Sequence, residues 1–273
     1  MFEEIIQLDG KNDGPTSIIL AGVHGDEKCA IEALEKTLLN FSIENGRVFF
    51  GYGNPRAIEE NKRFIEANLN RMFKDDKLLS VDERKSYEYK RAQFLKKYLD
   101  KSEALLDLHA SHTPNSKHFI ICEKNSREVV KYLPGDFIVS GFDALEPGGT
   151  DSYMNSNGKM GICMECGYIE DPESIKVAET GILAFLKARG HIANDEKVKK
   201  HTRIHFDYLY KTKTNNFILA KSFDDFAEIS KGQLIGIDGG EEIIAERDAV
   251  ILFARNRNKI GDEAFLLGKK LYK

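Results

Sequence analysis

Gly22-Val23-His24-Gly25-Asp26-Glu27 follows the apolar run Ser17-Ile18-Ile19-Leu20-Ala21 and precedes Ala30, Ile31, Leu34 and Leu38 at helical spacing. The stretch reads as a strand, a tight glycine turn and a helix start, a place in an α/β sheet where polar side chains converge on a ligand. His24 and Glu27, spaced His-x-x-Glu, offer an imidazole and a carboxylate, both suited to zinc. The spacing alone is weak evidence: with 7 His and 44 acidic residues in 273 positions, about one such pair arises by chance. A turn closed by a capping acid is the competing reading of Glu27.

Outward from this stretch, strands are expected near residues 3–7 and 16–23, separated by the turn-forming residues 9–15, and a helix over 27–41. Gly46-Arg-Val-Phe-Phe-Gly-Tyr-Gly53 is the next strand, and Asn54-Pro55 opens a short helix. Residues 63–71 show no firm period. A long charged helix is expected over 81–101, then a strand in Ala104-Leu-Leu-Asp-Leu-His-Ala110. Further strands are expected at 118–123, 136–142 and 160–166, with Pro147-Gly148-Gly149 in a loop before the last. Asp171 as N-cap, Pro172 in the first turn, Ile175, Ala178, Ile182 and Phe185 on one face and Gly190 beyond the end delimit a helix.

Beyond Ala193 the pattern changes to short alternating runs: residues 204–210, 216–220, a hairpin about Asp238-Gly239-Gly240, and 250–254. The chain thus divides into an α/β domain over residues 1–192, expected to be catalytic, and a small β domain over 193–273 that could cap the site.

A formal charge of -4 gives no basic footprint for nucleic acid, and no Lys/Arg run suggests a membrane surface. No apolar run approaches the ~18 residues of a membrane span. The N-terminus does not resemble a signal peptide, and 4 Cys are too few and too irregular for a disulfide framework. The expected compartment is the cytoplasm and the expected partner a small molecule; a homo-oligomer is allowed. Cys163 and Cys166 form a Cys-x-x-Cys, but in a strand residues three apart point to opposite faces, which argues against a redox or metal pair.

Three strands end in candidate site residues: His24 and Glu27 after the second, His109 at the fourth and Glu165 at the last. His24, Glu27 and His109 form a His/Glu/His set that leaves a fourth zinc position open. His112 is the alternative to His109. Asp107, two residues earlier on the same face, either orients an imidazole or is a buried, satisfied carboxylate. Glu165 lies between Met164 and Cys166, an environment suited to proton transfer; pairing with Arg63 or Arg71 is the structural alternative. His201 and His205 have i, i+4 spacing in an alternating stretch and read as solvent-exposed structure.

Gly22-Val-His-Gly-Asp-Glu27, Asn68-Leu-Asn-Arg71, Asp107-Leu-His109 and Glu165-Cys-Gly167 together resemble the succinylglutamate desuccinylase/aspartoacylase family, relatives of the zinc carboxypeptidases, over about residues 16–190. The resemblance implies a three-layer α/β/α mixed sheet with a small C-terminal β domain. It implies one zinc per chain on His24, Glu27 and His109, with Glu165 activating the attacking water and protonating the leaving amine. Arg63 would stabilise the oxyanion, and Asn70 and Arg71 would clamp the substrate's α-carboxylate. The implied reaction is hydrolysis of an N-acyl amino acid.

Two departures bear on substrate choice. Asn68 stands where family members often have Asp. No Arg occurs between Arg127 and Arg189, where aspartoacylases carry one, so that only Lys159 could substitute. Thr150, with Asp151, Ser152 and Tyr153, is placed along the pocket, and Tyr208 and Tyr210 are candidates from the β domain. The alternatives are a zinc metallocarboxypeptidase acting on a peptide C-terminus, using the same residues, and a non-catalytic zinc-pocket binding protein.

Overall fold

A computed structural model describes residues 5–39 and 41–271. The described chain falls into two units divided at His201/Thr202, with Val139–Gly141 counted in the second.

The first unit contains β1 (Ile6–Asp9), β2 (Asn12–Ala21), α1 (Lys28–Leu38), β3 (Asn45–Tyr52), α2 (Pro55–Glu59), α3 (Val81–Lys85), α4 (Tyr87–Leu99), β4 (Ala104–Ser111), β5 (Phe119–Cys122), α5 (Arg127–Val130), the first half of β6 (Phe137–Ser140), α6 (Phe142–Leu145), α7 (Thr150–Ser156), β7 (Met160–Tyr168) and α8 (Pro172–Ala188). The strand order is β1-β3-β2-β4-β7-β5-β6. β3, β2, β4 and β7 run parallel, while β1 and β5 pair antiparallel with β3 and β7.

Ile18, Ile19 and Leu20 of β2 are wholly buried, as a parallel strand covered on both faces requires. Ile19, Ala21, Leu106, Leu108, Ile162 and Met164 face a layer containing Leu34 of α1 with Ile182 and Phe185 of α8. Ile18, Leu20, Leu105 and Phe49 face a second layer, with Ala92, Leu95 and Leu99 of α4 and Met154 of α7. The result is a mixed α/β sheet between two helical layers. Period-2 alternation along β4 then sets Asp107 and His109 on the Leu105 face.

Short-range chemistry fixes several ends. Asn54 accepts from Ala57 N and caps α2, with Pro55 in its first turn. Asp171 caps α8 through Glu173 N, and Gly190 follows that helix at φ +77°. The helix expected over 81–101 is two helices. Ser80 and Glu83 form a capping box for α3, and Ser86, extended at φ -61° and ψ 158°, ends it and caps α4 by accepting from Tyr89 N. The loop expected at Pro147-Gly148-Gly149 and on through residues 150–153 ends at Gly149, and Thr150 begins the helix Thr150–Ser156. Of the strand expected near 3–7, residues 3 and 4 lie outside the described residues; residue 40 of the first expected helix does too.

The second unit has an antiparallel order β8-β14-β13-β10, formed by Thr202–Lys211, Glu263–Lys270, Ala249–Leu252 and Glu228–Ile229. A three-stranded sheet is formed by Glu241–Ile244 (β12), Leu234–Asp238 (β11) and Phe217–Leu219 (β9). The β11–β12 hairpin turns at Gly239 and Gly240, both at positive φ, as a two-residue turn of the I′ kind demands. Tyr210 stacks on Phe265 and donates to Asp238 at 2.8 Å, so it serves packing within this unit; Tyr208 is exposed. His201 and His205 are half-buried rather than exposed: His201 Nε2 lies 3.1 Å from Leu133 O, and His205 Nδ1 3.1 Å from Ser140 Oγ.

Candidate metal centre

β2, β4 and β7 are consecutive neighbours in the sheet, so their carboxyl ends lie side by side. The chain leaves β2 through Gly22, which holds φ +69°, a conformation glycine adopts without steric cost. Gly25 is required for a different reason. A Cβ there would stand 2.2 Å from the Ala57 carbonyl carbon and 2.3 Å from Ile58 N, because the turn lies against the backbone of α2.

This turn delivers His24 and Glu27 to His109. The three buried side chains can each offer a ligand atom within 4.8 Å of the others. Glu27 stands at the N-cap position of α1 but makes no capping bond with its side chain. Instead Oε1 lies 2.8 Å from His24 Nδ1, Oε2 lies 3.0 Å from His109 Nδ1, and Oε2 accepts from Ala110 N at 3.2 Å. The carboxylate is therefore directed at the two imidazoles, not at the helix.

Burial pushes His24 below its ordinary pKa despite the pull of Glu27. Burial would raise Glu27, but His24 and His109 outweigh it and hold the carboxyl below the usual range. For His109, burial opposes the charged form, yet Asp107 and Glu27 hold the imidazole well above its usual value. Asp107 Oδ2 lies 3.2 Å from His109 Nε2 without hydrogen-bond alignment, leaving Nε2 and Asp107 Oδ1 unpartnered. The contact is electrostatic, and Thr150 Oγ1 donates to the same Asp107 oxygen.

The hydrogen bonds around His24 test whether a metal fits. Asn70 N donates to Asn68 Oδ1 at 3.0 Å, which fixes the amide's orientation, and that oxygen lies 3.1 Å from His24 Nε2. An amide oxygen only accepts, so Nε2 carries the proton. In the neutral imidazole Nδ1 is then an acceptor, facing a carboxylate oxygen that is also an acceptor. Such a pair needs a cation between its members, and burial opposes an imidazolium at His24. Two imidazoles and a carboxylate, one imidazole held from behind by an amide oxygen, are a donor set suited to a divalent metal.

The remaining candidates separate by position. Glu165, half-buried, is paired with His109 in the β4–β7 register. Arg63 Nη1 is 3.5 Å from Glu27 Oε1, with its side chain 46% exposed. Asn70 and Arg71 lie in the 3-10 turn Leu69–Arg71; Arg71 donates to Asn70 O and to Glu146. Thr150 is buried against Asp107. Lys159 is not brought to this cluster: it precedes β7, roughly 20 Å along the strand from Glu165, and its Nζ donates to Leu99 O at 3.0 Å and Asp100 O at 2.6 Å. His112 pairs with Asp26 at 2.9 Å, outside the ligand cluster. Cys163 and Cys166 are buried free thiols in β7, with pKa values raised by burial. The Asn68–His24 contact is not expected from the sequence, although Asn68 lies in the Asn68-Leu-Asn-Arg71 motif.

The model of the succinylglutamate desuccinylase/aspartoacylase catalytic domain matches residues 13–189. The chain belongs to this family. It is 24% identical over 300 aligned residues to a succinylglutamate desuccinylase of Vibrio vulnificus, covering 97% of this chain and 83% of that protein. A shorter match, 38% over 76 residues, is to the succinylglutamate desuccinylase of Pseudomonas putida, covering 26% of this chain and 22% of that one. Among solved structures, succinylglutamate desuccinylase from Vibrio parahaemolyticus superposes with TM-score 0.81 at 18% identity, covering 98% of this chain and 86% of that one. The product-bound ectoine utilization protein of Ruegeria pomeroyi gives 0.73 at 19%, covering 97% and 88%. At these identities the structural likeness is one of fold. The family is named for deacylases, hydrolytic enzymes. No helix among the described residues is long and apolar enough to cross a membrane.

Proposed function

We propose that this chain is a zinc-dependent amidohydrolase, with one zinc per chain, that hydrolyses the amide bond of an N-acyl amino acid. The observation that carries the proposal is the buried His24/Glu27/His109 donor set at the ends of neighbouring parallel strands, with Glu165 in register beside His109. Zinc at such a donor set supplies Lewis-acid polarisation to water and to the scissile carbonyl.

The chain's own residues divide the remaining work. Glu165 takes a proton from the attacking water and delivers it to the departing amine, which leaves as the free amino acid while the acyl group leaves as a carboxylate. Arg63, with its head half in solvent, donates to the oxygen that becomes negative; removing a donor of this kind typically costs about 100-fold or more in rate. Asn70 and Arg71 bind the α-carboxylate, and Glu146 fixes one end of the Arg71 fork. Thr150 steadies Asp107 behind His109.

The test is amine release by the zinc-loaded protein from N-acetyl, N-succinyl and longer N-acyl amino acids, with Glu165→Ala as control. Turnover abolished in that variant supports the proposal. Cleavage of peptides but not of N-acyl amino acids moves the assignment to a carboxypeptidase; zinc and ligand binding without turnover on either leaves a binding protein.

A further inference from the structure

Residues 63–71 carry Arg63, Asn68, Asn70 and Arg71, yet apart from the 3-10 turn at Leu69–Arg71 they form no helix or strand. A loop of this kind needs acceptors for its backbone N–H groups. One buried carboxylate supplies three. Glu88, wholly buried in the first turn of α4, accepts from Ile65 N at 2.7 Å, Glu66 N at 3.2 Å and Ala67 N at 3.1 Å, and from Asn54 Nδ2 at 3.2 Å. The clasp is reciprocal, since Glu66 Oε2 accepts from Tyr87 N at 2.8 Å.

Each end of the clasped segment touches the metal loop. Arg63 O accepts from Gly25 N at 3.3 Å, and Asn68 Oδ1 accepts from His24 Nε2. The helix bearing Glu88 is itself tied to the sheet, because Arg91, one turn later, donates to Gly53 O at 2.9 Å and Tyr52 O at 2.7 Å at the carboxyl end of β3. Glu88 thus joins the sheet-anchored helix to the segment carrying the oxyanion and carboxylate donors, while its own hydrogen bonds go to Asn54 and residues 65–67 rather than to His24, Glu27 or His109.

We propose that Glu88 is a positioning residue for deacylation: by holding the N–H groups of Ile65, Glu66 and Ala67 it sets Arg63 against the reacting carbonyl and Asn70 and Arg71 against the substrate carboxylate. The kinetic part rests on the amidohydrolase reading; the structural part does not. A misplacement near 1 Å costs on the order of 100-fold in rate.

The test compares Glu88→Gln, Glu88→Asp and Ile182→Ala in the zinc-loaded full chain. Gln keeps the shape but turns an N–H2 towards backbone N–H groups; Asp keeps the charge but withdraws it by one methylene. Ile182 is a wholly buried residue of α8 in the opposite layer and gives a stability-matched control. The readouts are zinc stoichiometry, kcat and KM below each variant's melting range, and amide hydrogen exchange. In Glu88→Gln, zinc should stay at one per chain, kcat should fall and KM rise so that kcat/KM drops at least ~10-fold, and Ile65, Glu66 and Ala67 should exchange at least ~10-fold faster than in Ile182→Ala. Glu88→Asp should fall between, and it decides the question if Glu88→Gln does not fold.

Kinetic constants within twofold of wild type in the Glu88 variants, or unchanged exchange at residues 65–67, would overturn the proposal. So would loss of zinc, which would place the effect on the ligands. The exchange readout needs no turnover: an inactive wild type counts against the amidohydrolase reading, while unchanged exchange counts against the clasp.

Discussion

Substituting Gly25→Ala should perturb the proposed zinc centre without replacing any of its candidate ligands. The added Cβ would lie 2.2 Å from the Ala57 carbonyl carbon, 2.3 Å from Ile58 N and 2.5 Å from Ala57 O. Ordinary carbon contacts begin near 3.5 Å, so the turn and the first turn of α2 must part by roughly 1 Å. Both are backbone, so no side-chain rotation relieves the clash. α2 is held by its Asn54 cap and by Lys62 N donating to Ala57 O at 2.9 Å. The turn is held by Gly25 N to Arg63 O at 3.3 Å, and it is the side expected to move. Metal–ligand distances tolerate only about 0.2 Å, so His24 and Glu27 together lose their place relative to His109. Disturbing even an outer partner of a ligand costs about 10–100-fold in metal affinity; displacing two ligands should cost at least the upper end of that range. The overpacking should also destabilise the fold by about 1–3 kcal/mol, a fall in Tm of roughly 3–10 °C. Zinc affinity by competition with a chromophoric chelator, together with calorimetric Tm, tests both. A Gly25→Ala protein with wild-type zinc affinity would refute the argument that this backbone contact aims the ligands.

Three further outcomes are expected. Asn68→Ala should weaken zinc about 10–100-fold by releasing His24 Nε2, whereas Asn68→Asp, which keeps the acceptor and adds charge, should tighten it; equal affinities in the same chelator titration would remove Asn68 from the centre. Lys159→Met should lower stability by about 1 kcal/mol, through loss of a cation from the carboxyl end of α4, with kcat/KM unchanged; a raised KM at unaltered Tm would return Lys159 to the substrate. Burial, with Asp143 and Asp107 nearby, pushes the Asp151 carboxyl up to about 6, above its unfolded value near ~3.9. The folded state therefore holds the extra proton, and this contribution to stability is full below about pH 4 and lost as pH rises through 6, on the order of 3 kcal/mol. Urea unfolding across pH 4–7 should show a flatter profile for Asp151→Asn; parallel profiles would contradict the assignment.

Much of the fold was legible because its signals are local. Asn54-Pro55 and Asp171-Pro172 supply caps within three residues of the backbone they satisfy, and Gly239-Gly240 supplies two positive φ angles where a tight hairpin needs them. Ile18, Ile19 and Leu20 form a continuous apolar run because a parallel strand is buried on both faces. Period-2 alternation also sets Asp107 with His109, and Cys163 apart from Cys166. The exceptions were local signals outranked by neighbours: the charged run over 81–101 hid a break at Ser86, whose hydroxyl caps the second helix rather than continuing one.

What the sequence by itself determined is the set of strand-end residues His24, Glu27, His109 and Glu165, because strand direction and side-chain period follow from a few consecutive residues. What only the tertiary structure decided is which groups each of these and their companions meet. Glu27 turns away from its helix to two imidazoles, one of them 82 positions on; Lys159 spends its ammonium on the end of α4; Arg71 meets Glu146; and Glu88 serves a loop more than 20 positions earlier. A charged or hydrogen-bonding side chain takes its partner from whatever the folded chain brings within about 3 Å, and no spacing along the sequence encodes that distance.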